Sequence, residues 1–239
     1  MVATKKLRLK IWHDADAMNP FTEWDCEPAV MQNYGRENSV QDYSNGEIED
    51  FIKDKLRPEL VVPKLKELAE IIGEDLDYYE DHTNEEIAED LVWNINYSNI
   101  DELSDVLELF ELPHLNYTSR GYSQGDWADV LIVPTDEFFE RTGANRDHME
   151  SILEGTQKLF DDWAWGDVFG FTVEEGTVVQ VINKTTQEVV RETIEWESVD
   201  SCGGFYGSDF ENNGMLEYLP EELHEDLKNF DYSDIEYSY

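Results

Sequence analysis

The chain has 239 residues, with 56 acidic and 17 basic side chains and a formal net charge of −39. A surface of this sign repels phosphates, which excludes direct nucleic-acid binding as the main activity and excludes binding to anionic membranes. With 40% hydrophobic and 13% aromatic residues, the chain can bury a core, unlike an acidic disordered tail. Three interpretations of the charge remain: a salt-adapted surface, a cation-binding protein and a mimic of a polyanion.

The first segments of the chain alternate between regular and irregular patterns. Residues 6–12 alternate charged with apolar side chains, which predicts a half-buried strand. Residues 13–46 are rich in turn-forming residues, so we expect an irregular segment there. Residues 47–57 predict a short helix that ends before Pro58.

Three consecutive helices with short links are predicted between residues 63 and 111. The first begins at Pro63, which suits the first position of a helix. Thr83 and Glu86 form a capping box for the second helix, and Asn99 caps the third. Each helix carries apolar residues at helical spacing on one side, so its other side should face solvent.

The second half of the chain mixes strands with helices. A short apolar strand is predicted at 130–133, and Thr135 and Asn145 then cap two helices. The later predictions are strands at 168–173, 177–182 and 189–199, hairpin turns at 174–176 and 183–186, and short helices around Pro220.

These patterns together predict an α+β fold. We expect a single domain over residues 1–239, built on an antiparallel β-sheet with packed helices. Residues 60–111 would form an acidic helical insert or subdomain. No stretch approaches ~18 consecutive apolar residues, so no membrane span is expected. The N-terminus lacks the features of a signal peptide and the chain has two cysteines, so we expect a cytoplasmic protein.

The negative charge is distributed unevenly. Residues 1–66 carry a net charge of −2, and residues 67–239 carry −37. Between Lys66 and Arg120 there are 16 acidic side chains and no basic one, and residues 192–239 carry 14 acids and one base. A salt-adapted surface would be acidic everywhere. The uneven distribution therefore favours a function for the acidic part, because self-repulsion of this size destabilises the fold.

The acidic side chains on the predicted helices have a regular spacing. Glu85 with Glu89, and Glu86 with Asp90, are like-charge pairs at i,i+4, which destabilise a helix by about 0.2–0.5 kcal/mol each. Carboxylates four residues apart lie about 6 Å apart along a helix. Successive phosphates of one nucleic-acid strand lie a similar distance of about 6–7 Å apart. Rows of carboxylates can therefore occupy a groove that binds DNA.

The candidate partner-binding residues are the acidic side chains of the predicted insert. They are Glu74, Asp75, Asp77, Glu80, Asp81, Glu85, Glu86, Glu89, Asp90, Asp101, Glu102, Asp105 and Glu108. No catalytic residue, metal ligand or cofactor is predicted, because the sequence has no Gly-rich phosphate loop, nucleophile elbow or HExxH motif.

Four segments outside the insert are similar to segments of known proteins. They are IWHDADAMNPFTEWDCEPAVMQNYG at 11–35, GYSQGDWADV at 121–130, WAWGDVFGF at 163–171 and SVDSCGGFYG at 198–207. These segments resemble a family of acidic accessory proteins encoded by phages and plasmids. The last one resembles that family's Asp-Ser-Cys-Trp-Gly-Phe-Tyr-Gly signature, with Gly203 where Trp is usual. The resemblance implies a mobile-element origin and supplies no catalytic residues.

The glycines of the 198–207 segment also have a structural interpretation. Gly203, Gly204 and Gly207 permit a turn or a β-bulge. We prefer this interpretation to a functional site.

The leading hypothesis combines the charge pattern with the resemblance. The protein would be a DNA mimic that inhibits a basic, nucleic-acid-binding host defence protein, either a restriction enzyme or a CRISPR effector. The acidic C-terminal segment would add a second patch, and no enzymatic activity is expected. One alternative is a divalent-cation-binding protein or metal-dependent enzyme that uses the acidic turn at 13–25, with Asp14, Asp16, Glu23 and Asp25. The other is an accessory structural protein whose charge serves solubility.

Overall fold

The structure, a computed structural model, describes residues 6–34, 40–119 and 127–237 and has an α+β fold. In chain order, the strands are β1 (Lys6–His13), β2 (Ala29–Tyr34), β3 (Val40–Asp42), β4 (Leu115–Ser119), β5 (Ala128–Val133), β6 (Val168–Ile182), β7 (Val189–Tyr206) and β8 (Glu236–Tyr237). The helices are α1 (Pro20–Glu23), α2 (Glu47–Lys55), α3 (Pro58–Val61), α4 (Leu65–Ile72), α5 (Asn84–Asn94), α6 (Ile100–Leu109), α7 (Asp136–Thr142), α8 (Met149–Ala164) and α9 (His224–Lys228). Short 3-10 helices lie at Val62–Lys64, Leu76–Tyr79, Arg146–His148, Met215–Tyr218, Glu221–Leu223 and Tyr232–Asp234.

The chain divides into two compact units. The central unit runs from Asn19 to Asp161, and the terminal unit combines the described residues up to Met18 with those from Asp162 onward. The boundary passes through α8. The predicted insert at 60–111 lies wholly within the central unit.

The central unit packs its helices on a four-stranded antiparallel sheet with the order β3-β2-β5-β4. Met31 of β2 and Leu131 of β5 belong to one buried cluster that also contains Leu68, Leu91 and Leu103 of α4, α5 and α6. Full burial of each such leucine stabilises the fold by about 1.5–3 kcal/mol. The predicted insert is thus built into the core of its unit.

The local signals for the acidic helices are confirmed. Thr83 caps α5, Asn99 caps α6, and α4 ends at Gly73 in the left-handed conformation with φ 73°. The start of α4 differs from the prediction. Pro63 lies in the 3-10 helix Val62–Lys64, and the α-helix begins at Leu65.

The terminal unit contains a sheet with the order β7-β6-β1-β8. β1 pairs antiparallel with β6, while the two-residue strand β8 pairs parallel with β1. One face of the sheet contributes Ile11, Phe171 and Phe205 to a buried cluster with Met215 and Leu219 from the C-terminal segment. The alternating pattern of β1 follows from this one-sided burial.

The predicted hairpin turn at 174–176 is wrong, because β6 continues through it. Gly176 pairs with Lys6 on one side and with Trp196 on the other. A Cβ atom at this position would lie 2.7 Å from the side chain of Ile194 and 2.9 Å from that of Trp196. This glycine makes room for neighbouring side chains inside a strand, which local sequence does not distinguish from a turn.

The predicted turn at 183–186 is confirmed. It joins β6 to β7, with the backbone N–H of Asn183 donating to the carbonyl oxygen of Glu188 at 2.9 Å. The region 13–46, predicted to be irregular, contains the missed strands β2 and β3. Both Val30 and Met31 are buried, at 0% and 3% exposure, so β2 lacks the alternation that identifies a half-buried strand.

Candidate protein-binding surface

Burial of one side of each acidic helix decides which carboxylates face solvent. Ile87 and Leu91 of α5 and Leu103 and Leu107 of α6 are buried in the central core. The opposite side of each helix, which carries the acidic side chains, then points outward, because side chains three and four residues apart share a face. Of the 13 candidate carboxylates, only Glu74 and Glu102 are partly buried, and the other 11 are exposed.

Glu86 has a structural role at the start of α5. Its carboxylate accepts the backbone N–H of Thr83 at 2.8 Å, and the hydroxyl of Thr83 accepts the N–H of Glu86 at 3.3 Å. The carboxylate also accepts the hydroxyl of Thr83 at 3.1 Å, and the two hydrogen bonds that it accepts from Thr83 lower the pKa of the Glu86 carboxyl. The capping box is therefore confirmed, and Glu86 is held by the helix end.

Three further candidates are also held by local hydrogen bonds. Glu102 accepts the backbone N–H of Asn96 at 2.7 Å, and Glu74 accepts from the side-chain amide of Asn94 at 3.3 Å. Asp75 accepts the backbone N–H of the residue two positions later at 3.0 Å. These carboxylates stabilise helix ends and links, so they are less available to a partner.

The other nine candidates form what we call the acidic helical surface. They are Asp77, Glu80, Asp81, Glu85, Glu89, Asp90, Asp101, Asp105 and Glu108. In the part of the chain that the structure describes, none of the nine has a side-chain hydrogen bond or an ion pair. Glu67 and Glu70, exposed on α4, were not among the candidates and extend the run of acidic side chains.

The nearby basic residues do not neutralise this surface. Lys53 forms an ion pair with Glu49, and its Nζ lies 4.4 Å from the ring centroid of Trp93. Lys64 donates to the backbone carbonyl of Leu109, close to the end of α6. Lys53 thus interacts with an aromatic ring of α5, and Lys64 interacts with the C-terminus of α6.

The pKa of the Tyr79 hydroxyl is raised by its surroundings beside the acidic helices. It is raised first by burial and then by the carboxylates of Glu74 and Asp90. Both effects disfavour the tyrosinate, because loss of the proton would add another negative charge.

Two exposed aromatic side chains accompany the carboxylates. Trp93 is 71% exposed on α5, and Tyr78 is 83% exposed in the 3-10 helix before it. Trp93 follows Glu89 and Asp90 by four and three residues, so it shares their side of the helix. Neither residue was predicted from the sequence to be part of this surface, although the spacing placed Trp93 away from the apolar face. Large exposed aromatic residues are typical anchors of protein interfaces.

We expect the capping carboxylate to give the α5 end a distinct pH dependence. A carboxyl whose pKa is lowered by folding stabilises the folded state above its unfolded pKa and loses this effect as the pH falls through the folded pKa. Replacing Glu86 by Ala should therefore lower the melting temperature at pH 7, and the difference from wild type should shrink as the pH falls below about 4.3, the ordinary pKa of a glutamic acid side chain. Thermal denaturation at both pH values measures this. Glu89→Ala, which removes no hydrogen bond, should not show the effect, and a Glu86→Ala difference independent of pH would contradict it.

The acidic C-terminal segment belongs to the terminal unit. Glu217, Glu221 and Glu222 are exposed there, while Glu225 forms an ion pair with Lys228 at 3.2 Å. These side chains lie on short helices that pack against the terminal sheet. The idea that they form a second binding patch stays a prediction.

The acidic turn proposed for a cation has a different arrangement in the structure. Asp14 accepts the backbone N–H of Gly204 at 2.9 Å, and Asp16, Glu23 and Asp25 are exposed. Within residues 6–34, 40–119 and 127–237, no group of three or more His, Cys, Asp or Glu side chains is arranged to hold a metal ion. The cation hypothesis therefore has no geometry to support it among these residues.

Parts of three of the four family-like segments, residues 11–13, 168–171 and 198–206, lie in the terminal sheet. The ring of Trp12 covers Gly170, where a Cβ atom would lie 2.3 Å from the ring. A Cβ atom at Gly203 would lie 2.5 Å from a carboxylate oxygen of Asp14. The register of β7 shifts by an extra residue opposite Gly170, so the predicted β-bulge is present at Gly203 and Gly204.

These glycines are thus explained by close packing within one sheet. The fourth segment, 121–130, falls mostly outside the described residues, as does Gly35 at the end of the first.

Comparison with protein-family models, with curated proteins and with solved structures finds no match for this chain. The resemblance to phage and plasmid proteins therefore stays a prediction. In the described ranges, no helix is both long enough and apolar enough to cross a bilayer.

Proposed function

We propose that the protein is a nucleic-acid mimic that inhibits a basic, nucleic-acid-binding defence protein of its host. The acidic helical surface would occupy the groove in which that protein binds DNA or RNA. A restriction enzyme or a CRISPR effector fits this description, and the inhibitor would act in the host cytoplasm. The sequence resemblance to phage and plasmid accessory proteins motivates this choice of partner.

The observation that carries the proposal is the set of nine exposed carboxylates, six of which lie on α5 and α6, helices that are anchored in a core. Leu91 and Leu103 are fully buried, so α5 and α6 are anchored and their outer side chains project from fixed backbone positions. Pairs such as Glu85 with Glu89 and Asp101 with Asp105 are four residues apart, at a spacing close to that of phosphates. An ordinary exposed helix gains stability by placing Lys among its acids, and α5 and α6 contain no Lys or Arg.

Exposed aromatic rings add a second element of the mimicry. Nucleic acids present base rings beside their phosphates, and Trp93 presents a ring beside Glu89 and Asp90. Groove-lining Arg side chains bind carboxylates bidentately and stack on aromatic faces. A surface with both groups therefore suits a groove lined by Arg.

The test measures competition as well as binding. The purified protein is immobilised, proteins are captured from a bacterial lysate at ~0.05 M salt, and the captured protein is purified. We expect short duplex DNA or single-stranded RNA to compete with the acidic protein for binding to the captured protein. Affinity should also fall steeply between ~0.05 and ~0.5 M salt, because a charge-mediated contact is screened.

Two results would contradict this function. One is a partner that binds this protein and its nucleic acid simultaneously, without competition. The other is an affinity that does not change over the salt range, which would exclude charge as the main source of binding. Failure to capture any partner at low salt would leave the solubilising surface as the better account of the charge.

A further inference from the structure

The hairpin formed by β6 and β7 extends beyond the rest of its sheet. In the described residues, β1 pairs with β6 only from Lys6, which lies opposite Gly176. Among the described residues, β6 and β7 pair only with each other beyond this point, as far as the turn at Asn183. We call residues 177–193 the arm. Two-stranded ribbons of this kind are marginally stable in water unless one face is covered.

The arm exposes an unusual number of branched apolar side chains. Thirteen large hydrophobic residues are exposed in the described ranges, and five of them lie in this short segment. They are Val178, Val181, Ile182, Val189 and Val190, which are 48–67% exposed. The others are distributed singly along the chain, which is normal for a surface. A cluster on one ribbon indicates a surface that another molecule covers.

The register places three of these residues on one face. Val178 lies opposite Ile194, and Ile182 lies opposite Val189. Directly opposed residues of an antiparallel pair point to the same side, and so do residues two apart along a strand. Gln180 and Glu192, opposed between these pairs, are hydrogen-bonded to each other. The face is therefore a stripe of apolar residues that is interrupted at its centre by one hydrogen-bonded polar pair, Gln180 and Glu192.

Charged side chains protect the outer edge of β7 beyond the arm, and this protection is weaker at the first residues of the strand. Glu195, Glu197 and Asp200 follow the arm on β7, and charged side chains of this kind prevent a second strand from pairing at an edge. Within the arm, β7 carries the charged residues Arg191 and Glu192, and only its first two residues, Val189 and Val190, are apolar. The usual protection against association is thus weakest where the apolar residues are exposed.

The charge of the arm favours a second copy of this chain as the molecule that covers it. Lys184 and Arg191 balance Glu188 and Glu192, so the arm is neutral in a chain of net charge −39. Two copies repel each other over most of their surfaces, and the arm is a place where they meet without this penalty.

We propose that two copies of the chain associate arm to arm, with the stripe of Val178, Ile182 and Val189 of each copy packed against that of the other. This inference is independent of the proposed function, because the arm belongs to the terminal unit and the acidic helical surface to the central unit. It also predicts the opposite response to salt. Screening reduces the repulsion between two acidic copies, so dimerisation should strengthen as salt rises.

The test is sedimentation velocity over a range of concentrations at ~0.1 and ~0.5 M salt. We expect a dimer of twice the 27.9 kDa chain mass, with tighter association at the higher salt. The variant Val178→Thr/Ile182→Thr/Val189→Thr keeps β-branched side chains and net charge while making the stripe polar. It should weaken dimerisation at least ~10-fold, because hydroxyl groups replace methyl groups that the interface would bury.

A matched variant separates the arm from general surface hydrophobicity. Met18→Thr/Leu60→Thr/Val199→Thr also replaces three exposed apolar residues, and it should dimerise like wild type. Circular dichroism checks that both variants are folded. A wild-type protein that stays monomeric at ~0.5 M salt, or an arm variant that dimerises as tightly as wild type, would overturn the proposal.

Discussion

Removing five charges from α5 and α6 should weaken partner binding by roughly 100-fold or more while the fold persists. The variant is Glu85→Gln/Glu89→Gln/Asp101→Asn/Asp105→Asn/Glu108→Gln. All five side chains are exposed, and none has a hydrogen bond or an ion pair within the described part of the chain. Because the like-charge pairs Glu85–Glu89 and Asp101–Asp105 are relieved, stability should stay the same or rise by about 0.5 kcal/mol. Binding titration with the captured partner and urea denaturation measure the two effects.

A second set of five acids controls for bulk charge. Glu23, Asp50, Glu140, Glu150 and Glu154 are also exposed in the central unit, and they lie outside the acidic helices. Glu150 and Glu154 are four residues apart on α8, so the set even contains a like-charge helical pair. Neutralising these five removes the same net charge and should reduce binding far less. Equal losses in both sets would mean that only total charge matters, and no loss in the first set would exclude α5 and α6 as the binding surface.

Placing a side chain at Gly170 should destabilise the terminal unit by about 3 kcal/mol, the upper part of the range for overpacked sites. The Cβ atom would lie 2.3 Å from Cζ2 of Trp12, and this ring is held in place because its Nε1 donates to the hydroxyl of Thr172 at 3.2 Å. Gly170→Val tests this well, since Val otherwise favours strands. Denaturation in urea measures the loss of stability.

Two further variants show whether the contact with Trp12 is the cause. Gly155 lies in α8, and a Cβ atom added there would meet no neighbouring group within 4 Å, so Gly155→Ala should stabilise the protein by about 0.5–1 kcal/mol. Combining Gly170→Val with Trp12→Ala should cost less than the sum of the two single changes, because the clash is gone. Strict additivity of the two changes would mean that the ring does not limit this position.

Local capping signals predicted the acidic helices well. The side chains of Thr83 and Asn99 each accept a backbone N–H three residues ahead. Residues close together in sequence therefore determine where each helix begins. Gly176 was misread because its role depends on Ile194 and Trp196, which are distant in sequence and reach it only across the sheet.

The candidate surface was predicted in part for a related reason. Sequence spacing shows which carboxylates share an outer face, and most of the candidates are exposed as expected. It does not show that Glu74 and Glu102 are held by Asn94 and Asn96, because those hydrogen bonds depend on how the links between helices turn. The exposure of Trp93 also escaped notice, since a tryptophan in an amphipathic helix is usually assigned to its buried side.

The discontinuous make-up of the terminal unit has a consequence for synthesis on the ribosome. Its first strand, β1, leaves the ribosome early but pairs with β6, which is encoded about 160 residues later. The central unit is continuous from Asn19 to Asp161 and can complete its core while the rest is still being translated. Strands that are distant in sequence pair slowly. The pairing of β1 with β6 cannot form until β6 has been synthesised. The acidic helices would therefore be folded before the chain is complete.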